Sequence, residues 1–315
     1  MGGGPAGAAC AWRLKMHGVK CLILDQHNFP RPKTCAGWIT PEALQDLEFK
    51  RSGYPYSFTT FSRFFITINK IKFTLRTKQY AIRRIEFDNW LLKKSGAAFQ
   101  VHKVQSIVKN KNDFEIDGKF SAKFLVGAGG TYCPVYRALF KSSHQEIKKS
   151  LIVAQEEEFL FPNADMDCRL WFSQEGLPGY AWYVPKANGY INVGVGAKAN
   201  RLKDSGDTLK HHWKRVVEKV ENQGLIRGHI YRPKAHTYYL RDRVSDMRIG
   251  NAFVVGDAAG LATLDMGEGI GAAIRSGILA ADSILDGAIC SLRTIPRYSL
   301  FSILRSGFLR SSDFE

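Results

Sequence analysis

The chain begins MGGGPAG, and its glycines at 2, 4 and 7 spell G-x-G-x-x-G. That spacing marks a tight turn between a buried strand and a helix, where backbone N–H groups meet a dinucleotide pyrophosphate. The residues that follow supply the rest of such a unit. Residues 5–17 are rich in small side chains, Pro5 suits a first helical turn, and Gly18 ends the segment. VKCLILD (19–25) then reads as a parallel strand covered on both faces. Asp25 closes it 18 residues after Gly7, where a carboxylate accepts hydrogen bonds from an adenosine ribose; a solvated strand-end carboxylate is the alternative, and the spacing favours the ribose. Only Met1 stands where the preceding strand is expected, which places that strand upstream of Met1.

A second motif chooses the dinucleotide. In AFVVGDAAG an apolar strand delivers Gly256 and Asp257 to a sharp turn, so the carboxylate is placed for ribityl or pyrophosphate-side hydroxyls. Residues 266–271 (MGEGIG) then open a helix whose backbone N–H groups can approach a flavin ring. Together the elements favour FAD over a nicotinamide cofactor, against a glycine-rich packing seam. Glu268 reads either as a proton relay or as a solvent-facing residue.

Between these motifs the patterning alternates. TPEALQDL (40–47) reads as a helix with Thr40 as N-cap and Pro41 at its first position. Residues 56–82 predict antiparallel strands, 83–96 a helix, and short strands follow at 99–108, 113–117 and 123–127. Strand-like segments cover 151–161, 167–173, 180–185 and 190–197, with a helix at 209–222 and another at 269–287. The fold class is therefore α/β (α+β overall). A Rossmann-like FAD-binding domain with a parallel sheet, from residues 1–55, 83–147 and 247–290, is interleaved with an antiparallel β-rich substrate domain from 56–82 and 148–246; 291–315 is a C-terminal remnant.

GGGPAG, Asp25, R-x-x-F-D-x-x-L (Arg84, Phe87, Asp88, Leu91), VGAGG, and GDAAG followed by GEGI resemble the geranylgeranyl reductase family, flavoproteins with the p-hydroxybenzoate hydroxylase fold. KTCAGWITPEAL is similar to the family's K-x-C-G-G segment. YAWYVPKANGYINVGVG is similar to its Y-x-W-x-F-P-K…N-V-G-x-G signature at Tyr180, Trp182, Pro185, Lys186, Asn192, Val193, Gly194 and Gly196. The chain departs at Ala36 (a family glycine), at Val184 (the signature Phe), and at Leu264-Asp265-Met266, where a proline is expected. Gly129 and Cys133 replace the Asp and Ser of the hydroxylases, which favours C=C reduction over aromatic hydroxylation.

The resemblance implies FAD contacts at Gly2, Gly4, Pro5, Ala6, Gly7, Asp25, Cys35, Ala36, Gly37, Arg84, Val104, Gly127, Ala128, Gly256, Asp257, Gly267, Gly269 and Ile270. It implies catalytic roles for Cys35, Tyr180 and Trp182, and a prenyl or lipid substrate reduced by hydride transfer from flavin charged by NADPH, NADH or ferredoxin. Tyr180 and Trp182 flank Ala181, so both rings share one strand face, as a pocket wall or as inter-sheet packing. Cys35 is either a thiol activated by the cation of Lys33 or a small residue chosen for fit. Arg84 places a cation near the pyrophosphate, with an exposed helix arginine as the alternative. A flavin monooxygenase and an incomplete, inactive flavoprotein are the alternative functions.

The balance of 45 Lys and Arg against 29 Asp and Glu leaves a net charge of +16. It suits anions and, with a lipid substrate, peripheral contact with an anionic membrane. The basic residues are scattered, which disfavours nucleic acid. Six cysteines, at 10, 21, 35, 133, 168 and 290, show no C-x-x-C and no metal-ligand spacing, so a reducing compartment and no metal are expected. With no secretory signal and no long apolar run, the reading is a cytoplasmic protein.

Overall fold

The computed structural model describes residues 1–143, 150–162, 164–241 and 246–306. The first unit forms as its sequence dictates: Pro5 opens helix α1 (Pro5–Met16), and strand β1 (Leu22–Asp25) returns beneath it. A two-residue strand β2 (Trp38–Ile39) leads into α2 (Pro41–Asp46), whose N-cap Thr40 accepts from the Ala43 N–H at 3.4 Å. A long hairpin, β3 (Thr59–Ile68) and β4 (Ile71–Ala81), precedes α3 (Arg84–Lys94). Five short strands follow, β5 (Ala98–Val101), β6 (Ile107–Lys109), β7 (Phe114–Ile116), β8 (Phe120–Ala122) and β9 (Leu125–Gly127).

Four strands come next, β10 (Leu151–Leu160), β11 (Cys168–Phe172), β12 (Gly179–Pro185) and β13 (Tyr190–Lys198). Helices α4 (Ala199–Ser205) and α5 (Leu209–Asn222) and strand β14 (Lys234–Tyr239) complete this region. The chain then returns to the first unit through β15 (Arg248–Ile249), β16 (Ala252–Val254) and α6 (Ile270–Asp286), and ends its described part in α7 (Leu300–Ser306). The remnant expected from residue 291 thus includes residues outside the described ones.

The parallel sheet expected of the first unit is present in two pieces. β1 pairs with β5, and β9 pairs in parallel with β16, which also carries β15 antiparallel. Met1 and Gly2 bridge the pieces: the Gly2 N–H donates to the Leu24 carbonyl at 2.7 Å, and the Met1 carbonyl accepts from the Ala128 N–H at 2.7 Å. Two residues are too few for a strand, so the sheet is discontinuous there.

The β-rich part is one mixed eight-stranded sheet, in the order β14-β10-β13-β12-β11-β3-β4-β2. β11 runs parallel to β3, a departure from the antiparallel expectation that follows from the long excursion between them. Period-two alternation gives this sheet two different faces. Tyr183, Val193 and Val195 pack under Trp213, Val216 and Val220 of α5. Trp182, Leu170 and Phe64, on the opposite face, meet Met266 and Ala36. That second face looks toward the two glycine turns, which are brought together because α1 packs on α6.

Candidate functional site

The opening turn is shaped for close approach. Gly2 has φ +105°, and a Cβ there would overlap the Ala128 carbonyl; a Cβ on Gly7 would overlap the Gly2 carbonyl oxygen. Gly4 caps α1 with no side-chain partner, and no acidic residue lies in that helix's first turn, so its N-terminus offers donors to an anion. Pro5 and Ala6 are buried in that turn. Asp25 binds the turn itself: Oδ2 accepts from the Gly3 N–H at 2.8 Å, and Oδ1 from the His27 N–H at 2.9 Å.

The cation over this turn is one that the sequence reading did not name. Arg31 places Nη2 3.6 Å from where a Gly4 Cβ would stand, and its buried Nε has no partner among the described residues. Arg84, the expected pyrophosphate cation, is buried and paired bidentately with Asp88, at 2.7 and 2.8 Å, one helical turn along α3. Its guanidinium also lies against the Cys35 thiol. The cation beside Cys35 is therefore Arg84 rather than Lys33, whose Nζ turns to the Thr34 carbonyl at 3.5 Å.

The second motif meets the first. Gly256 has φ +59°, its N–H donates to Ser276 Oγ at 2.9 Å, and its Cα side faces Ala6 of α1. Asp257 Oδ1 lies 3.3 Å from the Cβ position of Gly269, and Gly267 sits against the Tyr238 hydroxyl. The α6 N-terminus differs from expectation. Glu268 caps it, its Oε1 accepting from the Gly271 N–H at 2.6 Å, so the donors at Ile270 and Gly271 are already satisfied. Burial raises the Glu268 carboxyl to about 7; it is neither solvent-facing nor free. Gly127 is required by packing as well: a Cβ there would strike Val135 and Cys133. Ala128 binds Met1, and half-buried Val104 packs with Leu24 and Leu125.

The loop from Cys35 to Gly37 lies between this turn region and the sheet. The Cys35 Sγ accepts from the Gly37 N–H at 3.3 Å, and its carbonyl accepts from Lys186 Nζ and Asn192 Nδ2, both at 3.4 Å. Lys186 is fully buried and donates to Glu158 at 2.5 Å. Burial alone would raise the Glu158 carboxyl, but Lys186 and Arg83 hold it below its ordinary value. The signature's Lys and Asn thus anchor the Cys35 loop to the sheet.

Tyr180 and Trp182 do share one face, with ring centroids 5.5 Å apart. They line a narrow apolar cleft, with Phe64, Leu170, Met266 and Ala36 among its other walls. Both polar tips are satisfied away from it: the Tyr180 hydroxyl donates to the Met266 carbonyl, and Trp182 Nε1 to Asn192 Oδ1, each at 2.6 Å. The cleft therefore presents hydrocarbon. A Cβ on Gly194 would overlap the Trp182 ring and come 2.7 Å from Glu156 Cβ, so this glycine makes room for the indole. Gly194→Val is expected to displace Trp182 and reduce stability by about 1–3 kcal/mol, with bound flavin retained because the glycine turns are elsewhere. Near-ultraviolet dichroism and flavin content check this; an unchanged aromatic spectrum contradicts it.

Beyond Gly194 lies a group that sequence reading missed. Glu156 is 2% exposed, and its two oxygens find no well-formed hydrogen bond among the described residues, with the Asn192 amide close by. Burial raises its carboxyl to about 7, against the opposing pull of Lys186 and Lys33. On the neighbouring strand β14, His236 is held down to about 3 by burial and by the nearby cations Lys33 and Arg84. The alternation QEEEF hides such a residue, because a solvated strand face has the same pattern.

Comparison with known proteins agrees with this geometry. The sequence model of an NAD(P)-binding Rossmann-like domain matches residues 1–63. The digeranylgeranylglycerophospholipid reductase 2 of Methanosphaera stadtmanae is 25% identical across 91% of this chain and 78% of its own length. The menaquinone reductase of Mycobacterium tuberculosis is 24% identical across 90% of this chain and 74% of its own. A solved geranylgeranyl bacteriochlorophyll reductase-like protein of Thermoplasma acidophilum superposes with a TM-score of 0.73 at 22% identity, covering 97% of this chain and 83% of that one. The two glycine turns, the hydrocarbon cleft beside them and these relatives converge: the chain is an FAD-dependent oxidoreductase, similar to digeranylgeranylglycerophospholipid and menaquinone reductases.

Proposed function

We propose that the chain reduces C=C bonds of a prenyl chain. The observation that carries this reading is the cleft, whose lining is apolar and whose tyrosine and tryptophan tips are already hydrogen-bonded elsewhere. Such a surface binds a hydrocarbon chain and offers no donor to orient a hydroxylated ring.

The residues present fit FAD. The α1 N-terminus and the unpartnered Arg31 Nε suit its pyrophosphate, Asp25 its ribose, and Asp257 with Gly267 and Gly269 its ribityl and ring end. When bound and reduced, FAD supplies the hydride for one alkene carbon. The chain's task is to orient the alkene, exclude water and hold the proton that the other carbon receives. Tyr180 and Trp182 form the orienting wall. Cys35 is held at the cleft's edge by Lys186, Asn192 and the Gly37 N–H, placed to shield the reacting end or to donate its thiol proton. Glu156 is the stronger proton holder: its Oε keeps a proton up to about pH 7, and Lys186 and Lys33 stabilise the carboxylate left behind.

The test is anaerobic. Purified protein with stoichiometric FAD, reduced by dithionite and mixed with a geranylgeranyl lipid, should reoxidise its flavin and yield a saturated chain by mass spectrometry. Reoxidation only on admission of oxygen, with an oxygenated product, would support a monooxygenase instead. The same assay with a menaquinone distinguishes the two substrate classes carried by the relatives' names.

A further inference from the structure

The hairpin that supplies one wall of the cleft ends in an unusual surface. At its tip Ile68, Ile71 and Phe73 are 42%, 71% and 42% exposed. The register shows that these are not scattered residues. Ile68 pairs with Ile71, Ile66 with Phe73, and Phe64 with Leu75, so all six side chains lie on one face. Across the sheet, Ile66 pairs with Leu170 and Phe64 with Cys168, and Phe64, Leu170 and Cys168 all line the cleft. One apolar face therefore runs from the cleft to the exposed tip, a span of about 13 Å for the four residue steps from Phe64 to Ile68.

Cations surround this tip. Lys70 stands in the two-residue turn, and Lys72 and Arg76 project from the opposite face of β4; all three are exposed. The turn is braced rather than loose: the Asn69 N–H donates to the Phe172 carbonyl at 3.2 Å, and the Gln174 side chain donates to the Asn69 carbonyl. Beside β4, α7 carries Leu300 and Leu304 one turn apart, 48% and 43% exposed. No helix among the described residues is long and apolar enough to cross a membrane, so attachment through these residues would be peripheral.

We propose that the β3–β4 hairpin tip docks this chain on an anionic lipid surface, with Ile71 and Phe73 entering the acyl boundary and Lys70, Lys72 and Arg76 meeting the headgroups. Charge decides between this occupant and a second copy of the chain. A symmetric contact would bring the same lysines together, and the chain as a whole carries +16. Lysines along an open strand edge also oppose strand addition by another copy. An apolar hairpin tip with a cation in its turn and others on its reverse face is what an anionic interface binds when the tip enters end-on. The consequence for the cleft, that a prenyl chain can pass from the bilayer along the Ile68–Phe64 face, rests on the prenyl reading above; the docking does not.

The experiment uses the full chain with FAD and needs no substrate. It should float with vesicles rich in phosphatidylglycerol and stay in solution with pure phosphatidylcholine. The double variant Ile71→Ser/Phe73→Ser should lower the bound fraction's partition coefficient about tenfold or more, with unchanged melting temperature and flavin content, since both side chains are exposed. Lys70→Gln/Lys72→Gln should weaken binding and flatten its salt dependence. No flotation of the parent, equal flotation of the serine variant, or a serine variant that alters a monomer–dimer equilibrium instead would each overturn the proposal. If the chain floats as expected yet reduces no prenyl lipid, the docking stands and the prenyl reading fails.

Discussion

Asp88→Ala should destabilise the protein by about 3–5 kcal/mol, among the largest single-residue effects expected anywhere in the chain. Asp88 is 1% exposed and holds the Arg84 guanidinium with two hydrogen bonds, at 2.7 and 2.8 Å. Removing the carboxylate leaves Arg84 charged, buried and unable to lose its proton. It also removes the closest acidic neighbour of Arg31, whose Nη2 lies 4.0 Å from Asp88 Oδ2. The pair as a whole is worth far less than this figure, because desolvating both charges offsets most of their attraction. Arg84→Met/Asp88→Leu should therefore recover most of the lost stability. Urea unfolding of the two variants separates these statements: a loss under about 1 kcal/mol for Asp88→Ala would show that Arg84 finds another partner or water. Flavin content of the double variant then reports what the pair does for the cofactor. Retained FAD would make the pair a packing device, and lost FAD would make Arg84 part of the cofactor site through Cys35.

The fold was legible where local chemistry and tertiary demand agree. Helix α5 has the predicted bounds because Thr208 accepts from the His211 N–H and its Trp213, Val216, Val220 stripe meets the sheet. Thr40 with Pro41 started α2 for the same kind of reason. What escaped was set by pairing across long separations. The parallel β11–β3 contact joins residues about a hundred positions apart, and nothing in either strand's composition specifies its direction. The two-piece parallel sheet, by contrast, had a local signal, since only Met1 precedes the glycine turn where a strand is expected, and Met1 and Gly2 bridge its halves.

The site divides in the same way. The glycine turns could be read because only residues without a side chain allow the approaches at Gly2 and Gly7. Tyr180 and Trp182 could be placed on one face by alternation alone. Which cation serves which anion could not: Arg31 lies in a proline-flanked loop without pattern, and the R-x-x-F-D motif holds Arg84 and Asp88 four apart on a helix, a spacing that allows a pair but does not show which anion the arginine meets. Glu268 and Glu156 needed burial to be interpreted, since their chemistry depends on what covers them.

Glu156 supplies the second large effect, and its sign can be worked out. Burial lifts its carboxyl from an ordinary value near 4.5 to about 7. Between those values the unfolded chain has released the proton while the folded chain retains it, so stability falls as pH rises through that window and is level above it. A gap of about 2.5 in pKa corresponds to a penalty on the order of 3 kcal/mol by pH 7. Glu268, raised to about 7, and Asp46, raised to about 6, act in the same direction. His236 opposes them: held down to about 3 from 6.5, it lowers stability as pH falls from about 6.5 to 3. Glu158 acts on the acid side, its depressed carboxyl contributing stability that is lost below about 4.5 as pH falls through its folded value. The parent's curve thus mixes several slopes, but the difference between Glu156→Gln and the parent isolates one. That difference should be close to zero near pH 4.5, grow in the variant's favour to about 3 kcal/mol near pH 7, and stay there. Urea unfolding at a series of pH values measures it. A difference that does not change with pH would mean that Glu156 ionises in the folded protein as it does in water, and the proton assigned to it would have to be held elsewhere. A difference that grows as expected, in a variant that keeps its FAD but transfers less deuterium from solvent into the reduced chain, would tie the buried acid to the proton that the reaction consumes.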